Sequence, residues 1–310
     1  MPPAPNPLVH LSAPVKAALE ANRPVVALES TIITHGMPWP QNLETALRVE
    51  DEVRAHGAEP ATIAVLEGQL CVGLSRAQLE NLAQAQDVAK LSRADLAVAM
   101  AQGRTGATTV AATMIAAQAA GIAVFATGGI GGVHKGAETS FDISADLQEL
   151  AQTSVTVVAA GAKAILDLPK TLEVLETLGV PVIAYGQDAL PAFWSRDAGL
   201  TAPLRMDAAA PIAAAHQARK ALGLPGGQLV ANPIPHEAEI SRETLAPLIA
   251  QATEEAEAQG IHGKAVTPFL LGRLFELTEG RSLEANIALV LNNARLSAAI
   301  ASELTKMPMP

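Results

Sequence analysis

Short runs of consecutive apolar residues alternate along the chain with longer stretches of mixed polarity. Continuous apolar runs bounded by turn residues are typical of strands that are buried on both faces of a sheet. On this pattern we predict strands at residues 24–28, 61–66, 70–72, 88–91, 122–126, 155–160, 180–185 and 229–231.

The stretches between these runs have the spacing of helices, and several of them end at a glycine. We predict helices at residues 41–56, 76–86, 94–102, 108–120, 144–152, 170–178 and 241–306, the last with breaks near Gly260 and Gly280. Alternating strands and helices predict an α/β fold with a mainly parallel central sheet flanked by helices, and a helical C-terminal region. We interpret residues 1–310 as a single domain and the proline-rich residues 1–20 as a loose N-terminal segment.

Residues 105–133 contain no charged side chain, and a segment of that length can span a bilayer. However, Gln118 and Gly121 interrupt the segment, and it ends in a run of glycines. We therefore interpret it as a buried helix, a buried strand and a loop, with no membrane span. The first residues lack the basic start and apolar run of a secretory signal, so the predicted location is the cytoplasm.

Charge and aromatic content narrow the class of ligand. The 310 residues carry a net charge of −10 with no basic cluster, and 3% of them are aromatic. This excludes broad binding to nucleic acid or to an anionic membrane, and it leaves a small-molecule substrate in a local pocket. A single cysteine, Cys71, excludes an intramolecular disulfide and a cysteine-cluster zinc site.

Two ionisable side chains follow predicted strands, where open α/β sheets bind their ligands. Glu29 follows strand 24–28. A carboxylate at the end of a buried strand is costly to ionise, which suits a proton donor, although Glu29 can also simply cap a turn. Lys163 follows strand 155–160 among small apolar residues, which favours a nucleophilic amine, although a lysine can also extend to solvent. We interpret the nearby His35 as a hydrogen-bonded core residue.

Several features suit an anion. The glycines of 128–132 let backbone N–H groups approach an anion, but they match neither the dinucleotide fingerprint nor the Walker loop, and a mobile lid or a plain turn is the alternative. Thr109 opens a predicted helix, where N–H groups bind phosphate, or it is only an N-cap. Lys90 binds phosphate as a point charge or forms a salt bridge.

Other polar residues leave two interpretations open. Asp142 and Asp146 lie near the start of a predicted helix, where they stabilise the helix dipole or hold one divalent cation through mostly water ligands. Asn286, on a C-terminal helix, reaches a ligand or satisfies a buried partner. Phe193 and Trp194 are interpreted as packing or interface residues.

Taken in order, several strings of this sequence resemble the pseudouridine-5′-phosphate glycosidase family, also called the indigoidine synthase A family. They are residues 26–38, 125–136, 141–150, 159–168, 230–235 and 267–271. The resemblance implies reversible cleavage of the C-glycosidic bond of pseudouridine 5′-phosphate to uracil and ribose 5-phosphate. It also implies a lysine Schiff base on the opened ribose, one Mn²⁺ per subunit (other divalent cations being possible) and a homotrimer.

The resemblance also implies roles for individual residues. Lys163 matches the nucleophile, Glu29 the proton donor and Asp142 the metal ligand, although Asp146 on the same turn stays an alternative ligand. The implied substrate-binding residues are Lys90, Thr109, Val110, Thr127, Ser144, Ala145, Asp146 and Asn286.

Two other functions stay open. One is a lysine-dependent aldolase or lyase that acts on a different phosphosugar and needs no uracil site. The other is a phosphosugar-binding protein in which Lys163 and Glu29 are idle. Within the resemblance, a pigment-pathway role is a further alternative.

Overall fold

The computed structural model describes residues 6–261, 263 and 266–308. Its strands are β1 (Val9–Leu11), β2 (Val25–Leu28), β3 (Glu59–Leu66), β4 (Gln69–Val72), β5 (Ala89–Leu91), β6 (Gly106–Thr108), β7 (Val124–Ala126), β8 (Thr156–Ala159), β9 (Val182–Tyr185), β10 (Leu204–Met206) and β11 (Gln228–Ala231). They form one sheet in the order β1-β4-β3-β2-β7-β8-β11-β9-β10, and β6 joins β5 to β3. Most pairs are parallel, whereas β3 runs antiparallel to β4 and β6. The predicted α/β fold with a mainly parallel sheet is confirmed.

Helices flank this sheet and fill the C-terminal region, as predicted. They are α1 (Ala13–Glu20), α2 (Thr31–Thr34), α3 (Gln41–Ala55), α4 (Arg76–Gln84), α5 (Arg93–Ala101), α6 (Val110–Ala120), α7 (Ala137–Ser140), α8 (Ala145–Leu150), α9 (Leu168–Thr177), α10 (Ala209–Ala221), α11 (Arg242–Ala258), α12 (Val266–Leu277) and α13 (Arg281–Lys306), with a 3₁₀ turn at His236–Ala238. Helix α13 packs against β2, β7 and β8. On α13, the Asn293 amide nitrogen lies 2.8 Å from the Thr127 carbonyl oxygen, just beyond β7.

The central strands are apolar because both of their faces are covered. Every residue of β2, β7, β8 and β11 is buried. Helix α6 is also buried over most of its length, which explains why residues 105–133 carry no charge. That stretch forms β6, α6, β7 and a loop, as predicted apart from the short β6. Among the described helices, none is long and apolar enough to cross a membrane.

The prediction of a loose segment at residues 1–20 is wrong from residue 9 onward. Strand β1 pairs in parallel with β4, and α1 buries Val15 and Ala18 completely. The prediction treated the prolines of this segment as a sign of loose structure. However, Pro14 lies in the first turn of α1, where its missing N–H costs no helical hydrogen bond. Residues 1–5 lie outside the described part of the chain.

Some elements were not predicted because their sequences lack a clear period. Helix α10 presents few large apolar residues, and the face that it buries consists of Ile212, Ala213 and His216. Strands β6 and β10 span three residues each, too few for a pattern to emerge. The missed pieces lie between correctly predicted elements, so they leave the order of the larger strands unchanged.

The buried His216 makes the stability of the fold depend on pH. Its side chain is 5% exposed, and its Nδ1 lies 3.1 Å from the Thr156 hydroxyl. Burial lowers the pKa of His216 from 6.5 to about 4. Between these values the unfolded chain binds a proton that the folded chain does not, so stability falls as the pH drops below about 6.5.

We therefore expect His216 to cost about 2 kcal/mol of folding free energy on going from about pH 7.5 to about pH 5. Urea unfolding of the wild type and of His216→Gln at both pH values measures this difference. The glutamine variant should lose about 2 kcal/mol less stability than the wild type over that interval. An identical pH dependence in both proteins would contradict the assignment.

Candidate active site

A cavity of about 780 Å³ opens at the carboxyl ends of the central strands. The segments that follow β2, β5, β6, β7 and β8 form one part of its wall, and α12 and α13 form another. Ten of the predicted site residues line it: Glu29, Lys90, Thr109, Val110, Asp142, Ser144, Ala145, Asp146, Lys163 and Asn286. Glu29 and Lys163, which the strand-end rule selected, therefore share one pocket with the residues that helix starts and the family resemblance selected.

Glu29 is held in place at the end of β2 by two threonine hydroxyls. Thr127 donates to its Oε1 and Thr31 donates to its Oε2. Because β2 and β7 are parallel neighbours, the residues that follow them, Glu29 and Thr127, meet at one edge of the sheet. Thr127 is buried and lies outside the cavity wall, so its predicted contact with substrate stays a prediction.

Lys163 reaches the same cavity from the segment after β8. A parallel bridge between Ile130 and Ala162 extends the β7–β8 pairing, and the Lys163 N–H donates to the Ile130 carbonyl at 3.1 Å. The backbone enters this segment through Gly161, whose φ is +85° and where a Cβ would lie 2.4 Å from the Pro191 carbonyl oxygen. Only glycine fits there.

The Lys163 side chain is half-buried in the cavity wall. Within the described residues, no carboxylate forms an ion pair with its ammonium group. This arrangement differs from that of a lysine paired at the surface, such as Lys170 with Glu138 at 2.8 Å. The Lys163 side chain therefore lines the cavity without a carboxylate partner among the described residues.

The glycine loop is a fixed part of the wall. Ile130 donates its N–H to the Gly161 carbonyl at 3.1 Å, and Ser144 donates to the Gly132 carbonyl at 3.0 Å. At Gly131 a Cβ would lie 2.3 Å from the Ser144 hydroxyl oxygen, so the absence of a side chain allows the close approach of α8. These contacts on both sides favour a fixed loop over the mobile lid that was the alternative.

The two aspartates near α8 have different surroundings. Asp146 is 6% exposed, and its two oxygens accept the Ala111 N–H at 2.9 Å and the Gly131 N–H at 2.8 Å. It thus ties the first turn of α6 to the glycine loop. Asp142 lies in the loop before α8, and its carboxylate makes no hydrogen bond or ion pair with any other described residue. Asp142 is therefore the aspartate that stays open to an added ligand.

Several basic groups form part of the cavity wall. Lys90, Arg93, His35 and His134 all line it. Burial, and to a lesser extent the charge of Lys90, lowers the pKa of His35, which favours a neutral ring at neutral pH. His35 is hydrogen-bonded, as predicted, since its Nδ1 lies 2.5 Å from the Thr34 hydroxyl, but it is half-buried in the cavity wall and is not a core residue.

Sequence reasoning missed Arg93 as a wall residue. Its guanidinium donates to the buried carboxylate of Glu149 at 2.5 Å. Burial raises the pKa of Glu149, and the charge and hydrogen bond of Arg93 oppose that rise. Arg93 is the second residue after β5 and the first of α5, so a search just beyond the strand ends would have selected it as well.

Another part of the cavity wall is apolar and was also missed. It includes Phe193, Leu271 and Leu289, which line the cavity together with Asn286. Phe193 and Trp194 lie in an irregular segment between β9 and β10, where no periodic pattern marks a residue as part of a site.

Known proteins resemble this chain over nearly its whole length. Residues 14–303 match the family described as "Indigoidine synthase A like protein". A "Pseudouridine-5′-phosphate glycosidase" of Jannaschia sp. is 72% identical over 95% of this chain and 97% of its own length. A protein of the same name from Paracoccus denitrificans is 71% identical over 96% of this chain and 99% of its own length.

Solved structures agree with this assignment. The prealnumycin C-glycosynthase AlnA in complex with ribulose 5-phosphate is 40% identical, with a TM-score of 0.90 over 97% of this chain and 98% of that one. An indigoidine synthase A-like protein from Thermotoga maritima is 33% identical, with a TM-score of 0.87 over 96% of both chains. With its cavity built from the same strand ends that carry the sequence resemblance, the chain belongs to the indigoidine synthase A family, that of the pseudouridine-5′-phosphate glycosidases.

Proposed function

We propose that the protein cleaves the C-glycosidic bond of pseudouridine 5′-phosphate reversibly, giving uracil and ribose 5-phosphate. The names of its close relatives support this reaction. The observation that carries the proposal is that one cavity holds the Glu29 carboxylate and the Lys163 amine, which follow β2 and β8, the two strands on either side of β7. A nucleophile and a proton donor facing one pocket can perform a joint reaction.

The chemistry of the bond favours an amine. Uracil leaves through a ring carbon, which is a poor leaving group, so the two-carboxylate route of ordinary glycosidases is unfavourable. In our proposal the Lys163 amine bonds to C1′ of the sugar, and the ring oxygen leaves C1′ and takes up a proton. Glu29 then protonates C5 of uracil as the C1′–C5 bond breaks with its electron pair going to C5. Water hydrolyses the remaining C1′=N iminium and releases ribose 5-phosphate and free Lys163.

The basic part of the cavity wall suits the phosphate. Lys90 and Arg93 supply positive charge, and the Thr109 hydroxyl and the Val110 N–H, at the start of α6, supply hydrogen-bond donors. AlnA, the structural neighbour, is in complex with a phosphosugar, ribulose 5-phosphate. Ser144, Ala145 and Asp146 complete the substrate contacts in this proposal.

Asp142 is the residue that would hold Mn²⁺ or another divalent cation, one per subunit. Its open carboxylate fits a hard cation, whereas both oxygens of Asp146 already accept N–H groups. No group of three potential protein ligands exists among the described residues, so water and substrate would complete the coordination. When bound, the cation supplies positive charge for substrate oxygens.

We expect Asp142→Asn to raise the Mn²⁺ concentration for half-maximal activity roughly 10- to 100-fold, because a neutral amide binds a hard cation poorly. A Mn²⁺ titration of uracil release, paired with electron paramagnetic resonance of free Mn²⁺, measures both activity and binding. Asp146→Asn is the matched control, and it should leave the affinity for Mn²⁺ nearly unchanged. If the Mn²⁺ titration of Asp142→Asn were unaltered, another residue would have to be the metal ligand.

Product analysis tests the function itself. Purified protein, pseudouridine 5′-phosphate and Mn²⁺ should yield equal amounts of uracil and ribose 5-phosphate, and a chelator should stop the release. No release from a folded, Mn²⁺-supplied protein would overturn the proposal. Turnover of other phosphosugars without uracil would instead favour the lyase alternative.

A homotrimeric assembly is part of this proposal and is supported by the sequence resemblance. Size-exclusion chromatography with light scattering tests it. A single species with the mass of one 31.9 kDa chain would overturn it.

A further inference from the structure

A buried tryptophan, Trp194, contacts the side-chain amide of Asn286 in the cavity wall. Trp194 is 1% exposed, and its indole Nε1 lies 2.7 Å from Oδ1 of Asn286 and 3.1 Å from the carbonyl oxygen of Ser282. Both acceptors belong to α13, one turn apart. Asn286 itself lines the cavity, so its other amide atom is the one available to a ligand.

The chemistry of the indole fixes which amide atom faces Trp194. An indole N–H only donates, so the atom of Asn286 that receives it must be the oxygen. The NH₂ group, which only donates, is then the one directed away from Trp194. Asn286 therefore offers hydrogen-bond donors to the cavity, and the reversed amide would place a donor against a donor.

The Trp194 ring is itself held from several directions. The Phe193 N–H donates to the Ala160 carbonyl at 2.7 Å, and the Trp194 carbonyl accepts the Ile240 N–H at 2.9 Å. The rings of Phe193 and Trp194 meet edge to face, with centroids 4.9 Å apart. The segment thus links the end of β8, just before Lys163, to the wall helix α13.

The two parts of the cavity wall suit different parts of one substrate. Lys90 and Arg93 come from β5 and α5, whereas Phe193 comes from the segment between β9 and β10 and Leu289 from α13, which also carries Asn286. A phosphosugar with a flat base would place its phosphate at the cations and its base at the apolar part. This orientation rests on the function proposed above.

We propose that Trp194 is a positioning residue that locks the Asn286 amide as a donor, so that the pocket requires a carbonyl oxygen on the base. Uracil has such oxygens. An exocyclic amino group or a ring N–H at that place would oppose the donor and leave both groups unpaired, which is costly in a desolvated pocket. The tryptophan thus contributes to base selection without contacting the base.

Steady-state synthesis from uracil and ribose 5-phosphate tests this role, because it gives each substrate its own KM. Trp194→Phe removes the N–H and keeps a buried ring, so the KM for uracil should rise about 3- to 10-fold, the value of one hydrogen bond. The KM for ribose 5-phosphate should stay within about 2-fold, since its contacts are elsewhere. Trp39→Phe, at the half-exposed second tryptophan, is the matched control.

A double-mutant cycle separates positioning from general packing. If Trp194 acts through Asn286, Trp194→Phe should raise the KM for uracil no further in an Asn286→Ala background. Asn286→Asp keeps the acceptor for Trp194 but offers an acceptor, in place of a donor, to the base. It should therefore raise the KM for uracil more than Asn286→Ala does. This variant tests donor polarity even if Trp194→Phe fails to fold.

Additive effects in the cycle, equal changes in both KM values, or a wild-type KM in Asn286→Asp would overturn the inference. Equilibrium dialysis of labelled uracil separates the inference from the proposed function. A wild type that binds uracil without turnover overturns the function, and the same variants then test the inference by dissociation constants. A wild type that neither binds uracil nor turns over overturns both.

Discussion

Replacing Lys163 with alanine is expected to lower uracil release from pseudouridine 5′-phosphate by about 10⁴-fold or more, while substrate still binds. The loss should be large because in the proposed mechanism the amine forms the covalent bond that makes the C–C cleavage feasible, and no other group is proposed to replace it. In the same proposal the phosphate and the base keep their own contacts, at Lys90 and Asn286, which both line the cavity. Single-turnover kinetics together with equilibrium binding of substrate measure the two effects separately.

The covalent step has an independent readout. Borohydride reduction in the presence of ribose 5-phosphate should add the mass of the reduced sugar phosphate to the wild type and not to Lys163→Ala. Lys16→Ala, at a lysine that pairs with Glu20 on the exposed face of α1, is the control and should behave like the wild type. Full turnover by Lys163→Ala would remove the covalent mechanism.

Replacing Glu29 with glutamine should slow the cleavage about 10²- to 10⁴-fold, the range for loss of a general acid. The amide retains the size of the carboxylate and one oxygen acceptor for the threonine hydroxyls, so the pocket should keep its shape. It cannot donate a proton to C5 of uracil in the same way. Rapid-quench measurement of uracil release gives the rate of the step.

The two substitutions should differ in what they leave intact. Glu29→Gln should still form the borohydride-trapped adduct with ribose 5-phosphate, because that adduct contains no uracil carbon to protonate. Thr127→Val removes one hydroxyl donor from Glu29 and should slow the reaction by a smaller factor. Loss of both trapping and turnover in Glu29→Gln, with the fold retained, would assign Glu29 to the sugar step instead.

Sequence alone was sufficient for the residues whose placement follows from local order. Glu29 comes directly after β2 and Lys163 comes four residues after the end of β8, and parallel strands bring such positions to one edge of the sheet. The order of strands in the sheet was not needed for this. Lys90, inside the short β5, and Arg93, two residues after its end, lie near the end of another strand.

Other parts of the site depend on contacts between distant segments, which a local pattern does not encode. Asp142 and Asp146 look alike in sequence, and only the packing of α6 and the glycine loop against Asp146 separates them. Trp194 and Asn286 lie 92 residues apart, so their hydrogen bond has no sequence signal. The loose N-terminal segment was mispredicted for a related reason, because β1 is ordered by its pairing with β4.

The position of α13 in the chain has a consequence for biosynthesis. This helix supplies Asn286 to the cavity and Asn293 to the Thr127 carbonyl, and it covers β2, β7 and β8. A ribosome makes these strands well before it makes α13, and nascent chains fold as their segments emerge. The cavity therefore stays incomplete, with its central strands uncovered on that side, until α13 has left the exit tunnel.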